Sequence, residues 1–175
     1  MYFNRYFLAF LFLAAFAACK KKNTPQPDKP FVTDVYVVGA KIINNATYGV
    51  YWKNGVQVDV TTDINSNIYA VTGKGADVYL AGVTAKGATY WKNGTPVYLT
   101  STARSNAQAI AVVNNDIYLA GTVYTLGDNY DKAVYWKNGT EHDLTDGSVI
   151  ANAYGVAVNG NDVYVTGQKK PARCR

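Results

Sequence analysis

No apolar run in the chain reaches the roughly 18 residues that a membrane-spanning helix needs. Short runs rich in β-branched and aromatic residues alternate instead with turn residues, a pattern that predicts strands. The runs are near-copies of one another. Asp34-Val35-Tyr36-Val37-Val38-Gly39 returns as Asp77-Val78-Tyr79-Leu80-Ala81-Gly82, Asp116-Ile117-Tyr118-Leu119-Ala120-Gly121 and Asp162-Val163-Tyr164-Val165-Thr166-Gly167, at spacings of 43, 39 and 46 residues. In phase with it, Tyr51-Trp52-Lys53-Asn54-Gly55 returns as Tyr90-Trp91-Lys92-Asn93-Gly94 and Tyr135-Trp136-Lys137-Asn138-Gly139, and these three segments hold every tryptophan of the chain.

Each unit parses into four strands, a to d. Strand a is the apolar run before the aspartate (69–72, 109–113, 154–158), b the Asp-x-Tyr motif, c the run ending at Tyr-Trp-Lys, and d the run that follows (56–60, 96–99, 141–145). Asn-Gly between c and d is a strong hairpin signal, because both residues tolerate the positive φ of a type I′ turn. Neighbouring side chains on a strand point to opposite faces, so the adjacent Tyr and Trp make both faces of the sheet apolar. That suits a sheet stacked between two others rather than one with a wet face. Tyr51, Trp52, Tyr90, Trp91, Tyr135 and Trp136 are therefore expected to be structural. Four antiparallel strands in about 40 to 45 residues is the size of a β-propeller blade. The expected fold is all-β: a propeller-like array of about three to four four-stranded blades forming an incomplete ring, with units near 34–76, 77–115 and 116–161 and a partial unit at 162–168.

The combination of Asn-Asp-Val-Tyr-x-x-Gly with Tyr-Trp-Lys-Asn-Gly resembles the tandem repeats of uncharacterised lipoproteins of Bacteroidetes that are taken to be β-propellers. The resemblance covers nearly all of residues 31–168. It implies a propeller and a place in the cell envelope, and it brings no catalytic residue with it. The paired glycines of kelch propellers and the His and Trp-Asp signatures of the WD40 type are absent.

Charge is distributed in a way that changes the picture drawn from its total. The chain carries 17 Lys plus Arg against 12 Asp plus Glu, a net +5. Residues 31–168 hold eight of the basic side chains and eleven of the acidic ones, a balance of −3. A mildly acidic body with basic ends lacks a phosphate-tracking stripe, so no nucleic-acid partner is expected.

Residues 1–18 carry one early charge, Arg5, followed by an apolar run that ends in the small residues Ala17 and Ala18 before Cys19. This is the form of a secretory signal peptide. Phe16-Ala17-Ala18-Cys19 resembles a bacterial lipobox, with Phe16 standing where Leu is usual. The expectation is acylation of Cys19 and a membrane partner reached through its acyl chains, with residues 19–30, which include Lys20-Lys21-Lys22 and three prolines, as an extended tether. An outer-membrane location is expected. The three lysines after Cys19, in place of acidic residues, favour the periplasmic side over the surface.

Link lengths point to one face. The a–b and c–d links are tight. The b–c links (40–47, 83–87, 122–132) read as irregular and the d–a links (61–67, 101–106, 146–152) as polar and open. In an up-and-down sheet these two sets share one end, and loops on a rigid scaffold are where binding residues concentrate. The candidates there are Asn44, Asn45, Asp63, Asn65, Arg104, Tyr124, Asp128, Asn129, Tyr130 and Asp131. Catalysis has little support. The one histidine, His142, falls on strand d away from these loops, and Asp63, Asp128, Asp131 and Asp146 give a carboxylate pair no fixed separation. Asp128-Asn129-Tyr130-Asp131 lacks the alternating ligands and glycine of a calcium loop, so no metal and no cofactor are expected.

The functional expectation is a lipid-anchored, non-enzymatic binding or scaffold module of the cell envelope, with a glycan or protein partner on the irregular loop face. A polysaccharide hydrolase or lyase is the rival reading. Residues 31–168 hold strands b to d of one unit, two whole units, and strands a and b of a fourth, and the tail 169–175 lies outside the repeat. A truncated product of a longer propeller is one expectation, and self-association of copies to complete a ring is the other.

Overall fold

The repeated polar letters of the two motifs meet one another in space, and they define where each sheet begins. In the computed structural model, which describes residues 34–99, 104–125 and 130–170, the described residues form thirteen strands. These are β1 (Tyr36–Ile43), β2 (Ala46–Lys53), β3 (Val56–Asp59), β4 (Asn67–Lys74), β5 (Asp77–Thr84), β6 (Gly87–Lys92), β7 (Thr95–Tyr98), β8 (Ser105–Val113), β9 (Asp116–Val123), β10 (Lys132–Lys137), β11 (Thr140–Asp143), β12 (Ala151–Asn159) and β13 (Asp162–Lys169). They pair in sequence order into four antiparallel sheets, β1-β2-β3, β4-β5-β6-β7, β8-β9-β10-β11 and β12-β13, none of which closes on itself.

Asp34, Asp77 and Asp116 each accept the side-chain amide of Asn54, Asn93 or Asn138, at 2.8, 2.7 and 2.9 Å. The same carboxylates pair with Lys53, Lys92 and Lys137 at 2.8, 3.1 and 3.2 Å. Each lysine also lies 5.3 to 5.4 Å from the ring centre of Tyr36, Tyr79 or Tyr118. The asparagine carbonyl accepts the N–H of Val35, Val78 or Ile117 at 2.9 Å. Asp, Tyr, Lys and Asn thus form one clip that ties the start of strand b to the c–d turn. The asparagine can turn there because it adopts φ near +51° and the following glycine a φ above +80°, as a type I′ hairpin requires.

Packing explains the alternating aromatics. Trp91 and Leu80 on one face of the second sheet pack with Val38 and Tyr51 of the first. Ala81 and Tyr90 on the other face pack with Trp136 and Leu119 of the third. Trp91 and Trp136 are fully buried, whereas Trp52 is half-buried. The third sheet meets the fourth through small residues, Ala120 and Ala133 against Ala151 and Ala153. Serine ties sheets together as well: the N–H groups of Gly49 and Ala88 donate to Ser66 and Ser105 Oγ of the following sheet, at 2.9 and 2.8 Å.

Two of the b–c links differ from the expectation of irregular loops. They are two-residue turns, Asn44-Asn45 and Ala85-Lys86, because β1, β2, β5 and β6 run on through residues read as loop. Asn44 and Asn45 both take positive φ, 49° and 64°, which closes the turn tightly. Only the link at 124–131 is long. Strand β13 also takes in Lys169, the first residue of the expected tail. The expected leader 1–18, Cys19, the rest of the tether 19–30, Asp128, Asn129 and residues 171–175 lie outside the described residues.

Candidate functional site

Alternating strand direction places the b–c and d–a links at one end of every sheet. At that end, where the second sheet meets the third, Tyr69, Val83, Arg104, Ser105, Asn106 and Tyr124 line a groove of about 360 Å³. Its walls are held from the backbone outward. The Tyr124 N–H donates to the Arg104 carbonyl at 2.7 Å, and the Asn106 side-chain N–H donates to the Tyr124 hydroxyl at 2.6 Å. Burial raises the pKa of both Tyr69 and Tyr124 above the ordinary tyrosine value, with the nearby Asp131 charge a further cause for Tyr124 and Tyr124 itself for Tyr69. Both phenols are therefore neutral at physiological pH, and both side chains line the groove.

Asn106 owes its position to a bulge. In β4, β8 and β12 the pairing with the next strand slips after Ile68, Ala107 and Ala153. The preceding carbonyl turns onto a glycine of strand b. A Cβ at Gly82, Gly121 or Gly167 would stand 2.0, 1.9 or 2.1 Å from the carbonyl oxygen of Asn67, Asn106 or Asn152. Only glycine admits that approach. The three asparagines are equivalent, each fifteen residues before its glycine.

Their surroundings are not equivalent. Asn152 Oδ1 accepts the Thr122 hydroxyl at 3.0 Å. The residue that corresponds to Thr122 one sheet earlier is Val83, which has no donor. Asn106 is 8% exposed, and its Oδ1 has no hydrogen-bond partner. Leaving a buried acceptor unpaired costs about 1–3 kcal/mol.

Of the sequence candidates, Arg104 and Tyr124 line this groove, and the charge of Asp131 acts on Tyr124. Asn44 and Asn45 sit in the β1–β2 turn. Asp63 and Asn65 belong to the β3–β4 link, where the Ser66 hydroxyl donates to the Asp63 carbonyl at 2.8 Å. Asp63 also lines a larger groove of about 710 Å³ with Lys41, Asp59 and Tyr98, but there Lys41 is already paired with Asp59 at 2.6 Å. Tyr130 is exposed and fastens the long link through its N–H to the Gly147 carbonyl at 2.9 Å. His142 stacks on Tyr135 with ring centres 4.6 Å apart. Sequence reading missed Tyr69, Val83 and Asn106; the constant Asn-to-Gly spacing was the signal for Asn106.

Among the described residues no three His, Cys, Asp or Glu side chains come together to hold a metal ion. No protein-family model, curated protein or solved structure matches the chain. The class these features define is an all-β protein of stacked antiparallel sheets with a groove at the loop end of its central pair.

Proposed function

We propose that the chain is a lipid-anchored, non-enzymatic binding module of the cell envelope, built as an arc of propeller blades, that takes a glycan or protein partner at the loop end of its sheets. The observation that carries this reading is the groove between the second and third sheets. It gathers a guanidinium, two tyrosines and a buried amide, a set suited to recognition and without a nucleophile–base pair. A glycan array probed with the full-length chain is expected to give binding that Arg104→Ala or Tyr124→Ala abolishes while the melt stays cooperative. Binding untouched by either substitution would move recognition elsewhere, and turnover of a polysaccharide would favour the hydrolase reading.

Anchoring rests on Cys19. A fatty-acid probe is expected to label the wild type and spare Cys19→Ala, and label kept in the variant would remove the anchor. Exposed apolar side chains on the outer faces of the first and last sheets, Val37 at 54% and Tyr164 at 53%, support association of copies, which light scattering of the purified chain tests. A monodisperse monomer would contradict it.

A further inference from the structure

The fourth sheet holds strands a and b of the repeat, β12 and β13, and among the described residues nothing pairs with the other edge of β13. The first three sheets carry strand c at that edge. We infer that the β13 edge is a docking site for a c–d hairpin, supplied by β2–β3 of a second copy, which releases it from β1. The inference rests on the association of copies proposed above and names the elements that associate.

The fourth sheet carries half of a clip. Asp162 and Tyr164 hold the repeat positions of Asp77 and Tyr79, or of Asp116 and Tyr118. Asp162 is exposed and has neither an asparagine amide nor a lysine against it among the described residues. Tyr164 is 53% exposed, against 5% for Tyr79 and 6% for Tyr118. A turn with lysine and then asparagine is what the other three clips place there.

The third sheet has an uncovered apolar slot beside the same edge. Val60, Leu99 and Leu144 are equivalent, since their N–H groups donate to the carbonyls of Gly49, Ala88 and Ala133. Val60 clusters with Trp91 of the following sheet, and Leu99 with Trp136, so they are only 8% and 7% exposed. Leu144 is 45% exposed. It borders a cavity of about 210 Å³ with Ala133, Val165 and Thr166. Trp52, Trp91 and Trp136 stand opposite Val37, Leu80 and Leu119, the repeat equivalents of Val165. A strand c in the same register on β13 therefore sets its tryptophan beside Leu144.

The hairpin must then bring Trp-Lys-Asn-Gly, and of the three that do, β2–β3 is held least. Its sheet has no strand a beside β1 among the described residues. Trp52 is half-buried, whereas Trp91 and Trp136 are fully buried. Its transfer exchanges one b–c ladder and one clip for another of each. Such an exchange between copies costs little, and burial of the indole favours it.

The test supplies the hairpin as a fluorescein-labelled peptide of residues 46–60, titrated into the full-length chain and followed by anisotropy, while light scattering reads the mass. Saturable binding is expected, with the mass falling to that of one copy as the peptide saturates. The peptide with Trp52→Ala is expected to bind about tenfold more weakly. A loss of about threefold to tenfold is expected for the peptide with Lys53→Ala and Asn54→Ala, and the same for wild-type peptide on the Asp162→Ala chain. Asp162 is exposed, so a cooperative melt is expected to survive that substitution. Copies that stay associated but do not take up the peptide would overturn the hairpin as the element exchanged, and association would then rest on other faces. Affinity indifferent to Asp162→Ala and to the altered peptides would overturn the site as well. A chain that is a single copy at every concentration would overturn the second copy as occupant, together with the association reading.

Discussion

Two junctions in this molecule use the same backbone and opposite side-chain strategies. Between the second and third sheets the packing is heavy, with Trp136 and Leu119 against Ala81, Tyr90 and Leu99. The oxygen of a buried amide there has no partner. Between the third and fourth sheets the packing is light, four alanines with Val156 and Val165, and the equivalent amide is paired with Thr122. Large apolar burial stabilises by several kcal/mol and offsets one unmet hydrogen bond, whereas an alanine interface has no such reserve. An unpaired group therefore persists where the packing can carry it, at the groove.

The largest way to break this contrast is Trp136→Ala, expected to cost about 3–5 kcal/mol because it empties a fully buried site, against about 1 kcal/mol for Val165→Ala at the light junction. Urea unfolding midpoints check both, and equal costs would dissolve the distinction. Next comes Gly121→Ala, whose methyl group would strike the Asn106 carbonyl and shift the groove wall. A cost of about 3 kcal/mol is expected, with a smaller one for Gly167→Ala on the exposed strand β13.

Exchanging the donors sharpens the comparison further. Thr122→Val strands the Asn152 side-chain oxygen and is expected to lower stability by about 1 kcal/mol, while Val83→Thr is expected to raise it by a similar amount. Thermal melts read both, and two changes of the same sign would contradict the proposed equivalence of the junctions.

The smallest effect concerns the clips, which the two junctions share. The carboxyls of Asp77 and Asp116 are held below their ordinary pKa first by the asparagine amides and then by Lys92 and Lys137. For Asp34 the order is Lys53 first and then Asn54. A carboxyl whose pKa is depressed on folding stabilises above its unfolded value, about 3.9, and loses that contribution as pH falls through the folded value. Stability is expected to decline modestly below about pH 4, and less in Asp77→Asn. An identical decline in the variant would remove the clip as its source.

The strands and their Asn-Gly turns were legible in the sequence because local chemistry decides them. The order of sheets followed from repeat phase. Less legible were the residues that owe their role to a neighbouring sheet. Asn67, Asn106 and Asn152 read as the ends of loops, since asparagine is a poor strand former, and only the bulge opposite a glycine shows why each is held within a strand. Val83 read as the first residue of an irregular link, whereas it lies within β5. Its importance lies in the hydroxyl it lacks, which appears only when Thr122 is seen against Asn152. The long link at 124–131 was legible as a loop, but the tight turns at Asn44-Asn45 and Ala85-Lys86 were not, because β-branched and small residues there left the strand ends undefined.

The most direct test follows the side-chain amide resonances of Asn106 and Asn152 by NMR while the full-length chain is titrated with the best-binding glycan of the array. The expected result is a saturable shift of the Asn106 amide with Asn152 unmoved. A shift of Asn152 alone, or saturation of binding with Asn106 unmoved, would contradict the groove between the second and third sheets as the point of recognition.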